Sequence, residues 1–129
     1  MSRKSKGINA ERELIHLFWE TKKWGAIRVA GSGSSRYPSP DIVAGNQIRK
    51  LAIECKAVKG NSKYIPKIDV EQLKKYSEIF GAEPWIGIRF NNEKWFFLSI
   101  EDLLISEKHY VINRDLIKIK GLIFEELIN

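Results

Sequence analysis

The stretch "PSPDIVAGNQIRKLAIECK", residues 38–56, sets three charged side chains into what otherwise reads as two buried strands. Asp41 follows Pro40 directly. "DIVAG" (41–45) and "LAIECKAV" (51–58) are short and apolar, and "GNQIRK" joins them in the manner of a hairpin. Side chains alternate across a strand, so Leu51, Ile53, Cys55 and Ala57 face one way while Ala52, Glu54, Lys56 and Val58 face the other. Glu54 and Lys56 therefore share a face. Hairpin pairing brings Asp41, at the start of the preceding strand, within reach of the same region, where two carboxylates and an ammonium converge.

The flanking sequence supplies a frame for that hairpin. Upstream, Leu14, Ile15 and Phe18 recur at helical spacing between Asn9 and Trp24, Gly25 stops the helix, and "AIRVA" (26–30) reads as a short strand. Downstream, Asp69 with Gln72 three residues later resembles a capping box, and Val70, Leu73, Tyr76 and Phe80 keep helical spacing until Gly81. "PWIGIRF" (84–90) and "KWFFLSI" (94–100) flank Asn91 and Asn92, residues that tolerate the positive φ of a tight hairpin turn. "EDLLI" (101–105) reads as a short helix, "HYVIN" (109–113) as a strand and "LIFEELIN" (122–129) as a helical end. "GSGSSRYPSP" (31–40) and "KGNSKYIPK" (59–67) read as loops, both positively charged. The order αβββαββ predicts an α/β sandwich in which helices flank a central mixed sheet.

Composition bounds the function. At 129 residues the chain is expected to form one domain over residues 1–129, large enough to bury roughly two-thirds of its unfolded surface. No apolar run approaches the roughly 18 residues needed to cross a bilayer, so no membrane partner is expected. "MSRKSKGINAERE" has basic residues without the apolar stretch of a secretion signal, which predicts an intracellular, cytoplasmic protein. Cys55 is the only cysteine and His16 and His109 the only histidines, so disulfide and zinc chemistry drop out. A net charge of +6 favours a polyanionic partner, because phosphates bound by Lys and Arg release counterions; a merely soluble basic protein has the same charge.

Two neighbouring carboxylates repel each other and lose solvation on burial unless a cation sits between them. A hard divalent ion answers that cost, and carboxylate oxygens suit magnesium, which keeps several waters and binds through one or two carboxylates plus substrate phosphate. Phosphodiester hydrolysis is the matching chemistry, with Lys56 orienting or helping to deprotonate the attacking water. An E-x-K tripeptide by itself is usually a solvated strand face; the preceding Pro-Asp, the hairpin spacing and the apolar flanks favour the site. Glu11 points the same way, because the positions three, four and seven ahead of it are Leu14, Ile15 and Phe18, which puts it at the inner edge of the helix. Glu13 and Glu20 fall off that stripe and can sit in water. Without the strand motif, Glu11 would read as an ordinary acid favoured by the helix dipole.

Pro-Asp, twelve intervening residues and then Glu-Cys-Lys form the P-D…(D/E)-x-K signature, and on it the chain resembles the restriction-endonuclease-like nucleases. More narrowly, "KGINAERELI" (6–15), "RVAGSGSSRYPSPDIVAG" (28–45) and "LAIECKAV" together resemble the archaeal-type Holliday junction resolvases, which also occur in some viruses, over about residues 6–97. The resemblance implies a restriction-endonuclease-like sandwich and a homodimer that binds four-way DNA junctions in recombination and repair. It also implies magnesium-dependent nicking of two strands, with manganese as a substitute. Carried over by motif, Glu11, Asp41 and Glu54 are the metal-binding acids, and Lys56 and Ser32 join them as catalytic residues. Arg12, Arg28 and Arg89 become phosphate contacts, and Tyr76 and Phe80 the dimer contact, with a tyrosine at 76 where phenylalanine is common. Beyond about Ser99 no motif matches.

The loop before Asp41 admits two readings, a flexible connector or a segment in which Arg36 meets a phosphate and Tyr37 a base or sugar. Tyr76 and Phe80 are four apart and share a helix face, suited either to an isologous interface or to core packing of the kind expected for Leu73. Two other functions compete with junction cleavage. One is a related nuclease for specific or damaged duplex DNA, which would usually carry an added groove-reading element. The other is a non-catalytic DNA-binding module, which predicts a broken triad.

Overall fold

Residues 21–23, with Lys22 at φ 60°, turn the chain from its first helix toward the sheet. The computed structural model describes residues 3–31 and 36–129, with side chains from Gly7 onward; Ser32 lies outside the described residues. Helix α1 (Arg3–Glu20) is followed by β1 (Gly25–Arg28), β2 (Ile42–Gly45) and β3 (Lys50–Val58). The chain continues through β4 (Ser62–Pro66), α2 (Lys67–Phe80), β5 (Glu83–Phe90) and β6 (Phe96–Ser99). After a 3₁₀ turn (Ile100–Asp102) come β7 (Leu104–Ile105), β8 (His109–Asn113), α3 (Arg114–Lys120), β9 (Leu122–Ile123) and α4 (Phe124–Leu127). Among the described residues no helix is long and apolar enough to cross a membrane.

The central sheet has the order β1-β2-β3-β5-β6-β9 and is mixed. β2 and β3 pair antiparallel with Ile42 opposite Ile53, and β3 pairs parallel with β5, Glu54 opposite Ile86. A parallel neighbour needs a long crossover, and the β4–α2 segment supplies it. The period-2 alternation in β3 then decides what each face packs against. Leu51, Ile53 and Cys55 meet Ala10, Leu14 and Phe18 of α1, together with Trp24, Trp95 and Phe97. On the other face Ala52, Ile86 and Ile88 meet Val70 and Leu73 of α2. Each fully buried Leu, Ile or Phe in these layers contributes roughly 1.5–3 kcal/mol relative to exposure. Helices on both faces of a mixed sheet are the predicted architecture.

Polar contacts fix the ends of the hairpin. Asn46 Oδ1 accepts the amides of Ile48 (2.8 Å) and Arg49 (2.6 Å), closing the β2–β3 turn. From that turn Arg49 donates to both carboxylate oxygens of Glu83 (2.8 Å each) and to the Leu127 carbonyl (2.8 Å), and lies over the Trp24 ring. One side chain thereby ties the hairpin to the start of β5 and to the C-terminal helix. Asn91 and Asn92 do adopt positive φ (53° and 61°) between β5 and β6, and Gly81 ends α2 at φ 76°.

Several boundaries differ from expectation. α1 ends at Glu20, where the Thr21 hydroxyl donates to the Phe18 carbonyl and accepts from the Trp24 amide; Trp24 belongs to the core beyond the helix. Residues 62–66, read as loop, form β4, which pairs with β8 in a second sheet of order β4-β8-β7. Of "EDLLI", only Glu101 and Asp102 belong to the short 3₁₀ turn, and Leu104–Ile105 is the edge strand β7. The C-terminal segment contains α3, which the sequence reading did not anticipate, and β9 before its final turn of helix. The expected capping box at Asp69 is absent as well: α2 begins at Lys67 behind Pro66, placing Asp69 inside the first turn.

Candidate active site

Asp41 sits one residue ahead of β2, and its backbone continues the ladder: its amide donates to the Ile53 carbonyl at 3.0 Å and its carbonyl accepts from Val29 at 2.8 Å. Its side chain takes over the next bond, Oδ2 accepting the Cys55 amide at 2.8 Å. A carboxylate held by a main-chain N–H in this way cannot swing away from β3. It stands at the residue between Glu54 and Lys56, whose side chains share the opposite face from Cys55.

Lys56 Nζ lies 3.4 Å from Glu54 Oε2. Glu11, on the inner edge of α1, is held by Arg28 of β1, with Nη1 3.9 Å from Oε1. The charges of Asp41 and Lys56 act on both Glu11 and Glu54, which links the groups. Burial, with the nearby Asp41 charge, raises the Glu54 carboxyl from its ordinary 4.5 to about 8, against the opposing pull of Lys56. Burial and Asp41 likewise raise Glu11 to about 7, against Arg28 and Lys56. Burial works to lower the Lys56 ammonium, yet Glu54, Asp69 and Asp41 outweigh it and hold the group above its ordinary value. Burial pushes the Cys55 thiol well up, and the surrounding carboxylates push it further, so the single cysteine stays an unreactive packing group.

The cluster is therefore acidic, partly desolvated and short of cations. Among the described residues no three Asp, Glu, His or Cys side chains already stand around a common point. The donor set fits a hard cation bound by one or two carboxylates and completed by water and phosphate, and does not fit a closed cage. Asp41, fixed in place, and Glu54, two residues along β3 from Lys56, would hold such an ion, with Glu11 at its edge.

The structure thus brings together Glu11, Arg28, Asp41, Glu54 and Lys56. Arg12 is exposed on α1, and Arg36 is exposed on the segment leading to Asp41, its guanidinium 5.9 Å from the centroid of the Tyr37 ring. Arg89 is placed elsewhere. It is ion-paired with Glu13, the acid expected to sit free in water, and donates to the Asn92 carbonyl. A phosphate would have to displace those partners to reach it. Tyr76 and Phe80 lie on α2, their rings stacked at 5.2 Å.

Sequence reasoning missed one residue. Asp69 Oδ2 is 3.7 Å from Lys56 Nζ, on the side away from α1. Its place, an acid at the start of the helix that comes after the E-x-K strand and β4, suits a helix cap in sequence, and the structure turns it to Lys56 instead.

The raised carboxyl values have a consequence for metal-free protein. Between about pH 4.5 and 8 the folded chain keeps protons on Glu11 and Glu54 that the unfolded chain has lost, so stability falls as pH rises through that window. With chelator present, the melting temperature is expected to drop between about pH 5 and pH 8.5, and Glu54→Gln should remove much of the slope. A melting temperature that climbs over this range would contradict the buried, mutually repelling carboxylates.

Similar sequences and a similar fold occur in known proteins. A family model described as archaeal Holliday junction resolvase (hjc) matches residues 2–129. The crossover junction endodeoxyribonuclease Hjc of Archaeoglobus fulgidus is 38% identical over 130 residues, covering 95% of each chain. That of Methanocaldococcus jannaschii is 39% identical over 125 residues, covering 95% of this chain and 86% of the relative. The 1.6 Å structure of Archaeoglobus fulgidus Hjc, described as a Holliday junction resolvase from an archaeal hyperthermophile, superposes with a TM-score of 0.88 at 36% identity, covering 95% of this chain and all of that one. With whole-chain agreement in sequence and in fold, the chain belongs to the archaeal Holliday junction resolvase family.

Proposed function

We propose that this chain is a structure-selective endonuclease that binds four-way DNA junctions and resolves them by paired, magnesium-dependent phosphodiester hydrolysis. The observation that carries the reading is the convergence of Asp41, Glu54 and Lys56, with Glu11 brought in from α1. Magnesium, or manganese in its place, would neutralise charge on the scissile phosphate and acidify a water there. The chain's own residues do the rest. Cys55 N–H fixes the aim of Asp41, and Glu54 and Glu11 complete an oxygen-lined edge. The Lys56 ammonium orients the attacking water and, beside the phosphate, stabilises the negative charge that develops. Arg28, next to Glu11, and the exposed Arg12 and Arg36 offer guanidinium forks for neighbouring phosphates, while Tyr37 gives a ring for a base or sugar. Ser32 is assigned a catalytic part by motif alone. A DNA substrate fits a cytoplasmic location for the protein.

One such site nicks one strand, whereas resolution of a junction needs two nicks, so the reading requires two chains related by a two-fold axis. α2 offers the surface. Leu73 is buried against the sheet, whereas Phe80 is 45% exposed and stacks on the half-buried Tyr76. An exposed Phe80 ring backed by Tyr76 suits the apolar centre of an isologous interface.

Two experiments test the reading. End-labelled four-way junction, matched duplex and single strand are each incubated with magnesium or with chelator; cutting should be confined to the junction and to the magnesium arm. Glu54→Ala should abolish it while junction affinity stays within about threefold, because phosphate contacts supply most of the binding. Full cutting by that variant would remove Glu54 from the chemistry. For assembly, the Tyr76→Ala, Phe80→Ala double variant is expected to sediment as a folded monomer and to lose paired cutting of a cruciform plasmid. Persistence of a dimer at micromolar concentration would place the interface elsewhere.

A further inference from the structure

Asp69 has a role in this site that the P-D…(D/E)-x-K residues do not cover. The Lys56 ammonium lies between two carboxylates from different elements, 3.4 Å from Glu54 on its own strand and 3.7 Å from Asp69 in the first turn of α2. The two partners differ in what else is asked of them. Glu54 sits beside Asp41, whose charge acts on it, and in the nuclease reading its oxygens turn to a divalent cation. Once they do, its pull on Lys56 weakens, and a four-carbon side chain with three rotatable donors would lose its orientation. Asp69 stands outside that competition. Its charge acts on Glu54 less than that of Asp41 does, and α2 holds its backbone firmly.

That firmness has identifiable causes. Pro66 leads into the helix at φ −55°, a value its ring enforces. Lys67 Nζ donates to the Glu107 carbonyl at 2.9 Å, tying the helix start to the loop before β8. Val70, the next residue after Asp69, is fully buried with Leu73 in the core beneath. A first-turn acid is often explained by the helix dipole alone. Here the carboxylate is directed inward to a half-buried lysine, and α2 carries no side-chain cap at its start.

We propose that Asp69 is a positioning residue for catalysis: it anchors the Lys56 ammonium from α2, so that Lys56 keeps its aim when Glu54 is engaged elsewhere. The proposal rests on the nuclease reading and adds a fourth acid that binds no metal.

The test uses Asp69→Asn, which preserves shape, and Asp69→Ala. In metal-free protein, 15N NMR of the lysine side chains near pH 6 should show a slowly exchanging Lys56 ammonium that is lost in both variants. In single-turnover cleavage both variants should be slower by about 10- to 100-fold, with the magnesium half-saturation point and the junction Kd in chelator each within about threefold of wild type, and Asp69→Glu should recover part of the rate. In a Lys56→Gln background, Asp69→Ala should cause no further loss. A rightward shift of the magnesium dependence would make Asp69 a metal ligand and overturn the proposal. An unchanged rate, or an equal loss in the Lys56→Gln background, would overturn it too. A wild-type protein that cuts no junction would instead defeat the nuclease reading, while the NMR comparison would still decide whether Asp69 anchors Lys56.

Discussion

One hydrogen bond determines how this site can exist: the Cys55 amide donating to Asp41 Oδ2 at 2.8 Å. In an ordinary antiparallel pair that amide would meet a carbonyl of the neighbouring strand. Here β2 starts at Ile42, and the side chain of the residue before it serves as the acceptor. The Cys55 amide thereby keeps an acceptor, so the interruption costs little. It also fixes a carboxylate beside β3, at the residue between Glu54 and Lys56. Removing that side chain would leave the Cys55 N–H without its partner, while the Asp41 amide would still hold the end of β2 to the Ile53 carbonyl.

Around this fixed acid the charges are balanced incompletely. Lys56 answers Glu54 and Arg28 answers Glu11, but each carboxyl remains well above its ordinary value because burial and the Asp41 charge outweigh the cation beside it. A purely structural cluster would be expected to lower its carboxyl values, as the exposed Arg114 does for Glu93 and as Arg49 does for Glu83. The contrast separates two kinds of acid in one chain. Glu83 holds the fold together, while Glu11 and Glu54 store unfavourable electrostatics that a divalent cation and a phosphate would relieve. Arg89 differs from Arg28 in its setting, since Glu13 and the Asn92 carbonyl take two of its guanidinium nitrogens.

How much of this was legible depended on the periodicity of each segment. The β2–β3 hairpin could be read because its alternation is strict and both faces are buried, so apolar and charged positions cannot be exchanged without loss. Glu11 could be read because it interrupts the stripe that carries Leu14 and Phe18, both fully buried. β4 could not, because only Ile65 among its residues reaches the core and its partner, β8, lies more than forty residues away. β7 and β9, two residues each, are too short to show any period, and they exist through pairing with β8 and β6. Asp69 was visible as an acid near a helix start, and its meaning depended on the crossover bringing that turn over Lys56. No local pattern encodes such a contact.

The central claim is that Asp41, Glu54 and Glu11 form one cation site, and manganese offers the most direct view of it. Substoichiometric Mn²⁺ added to 15N-labelled metal-free protein should first broaden the amide signals of Asp41, Glu54, Cys55, Lys56 and Glu11. Asp41→Ala should restore them. Broadening centred instead on Glu13, Glu20, Glu93 and Glu125, the acids that line the groove between α1 and the C-terminal segment, would contradict the account.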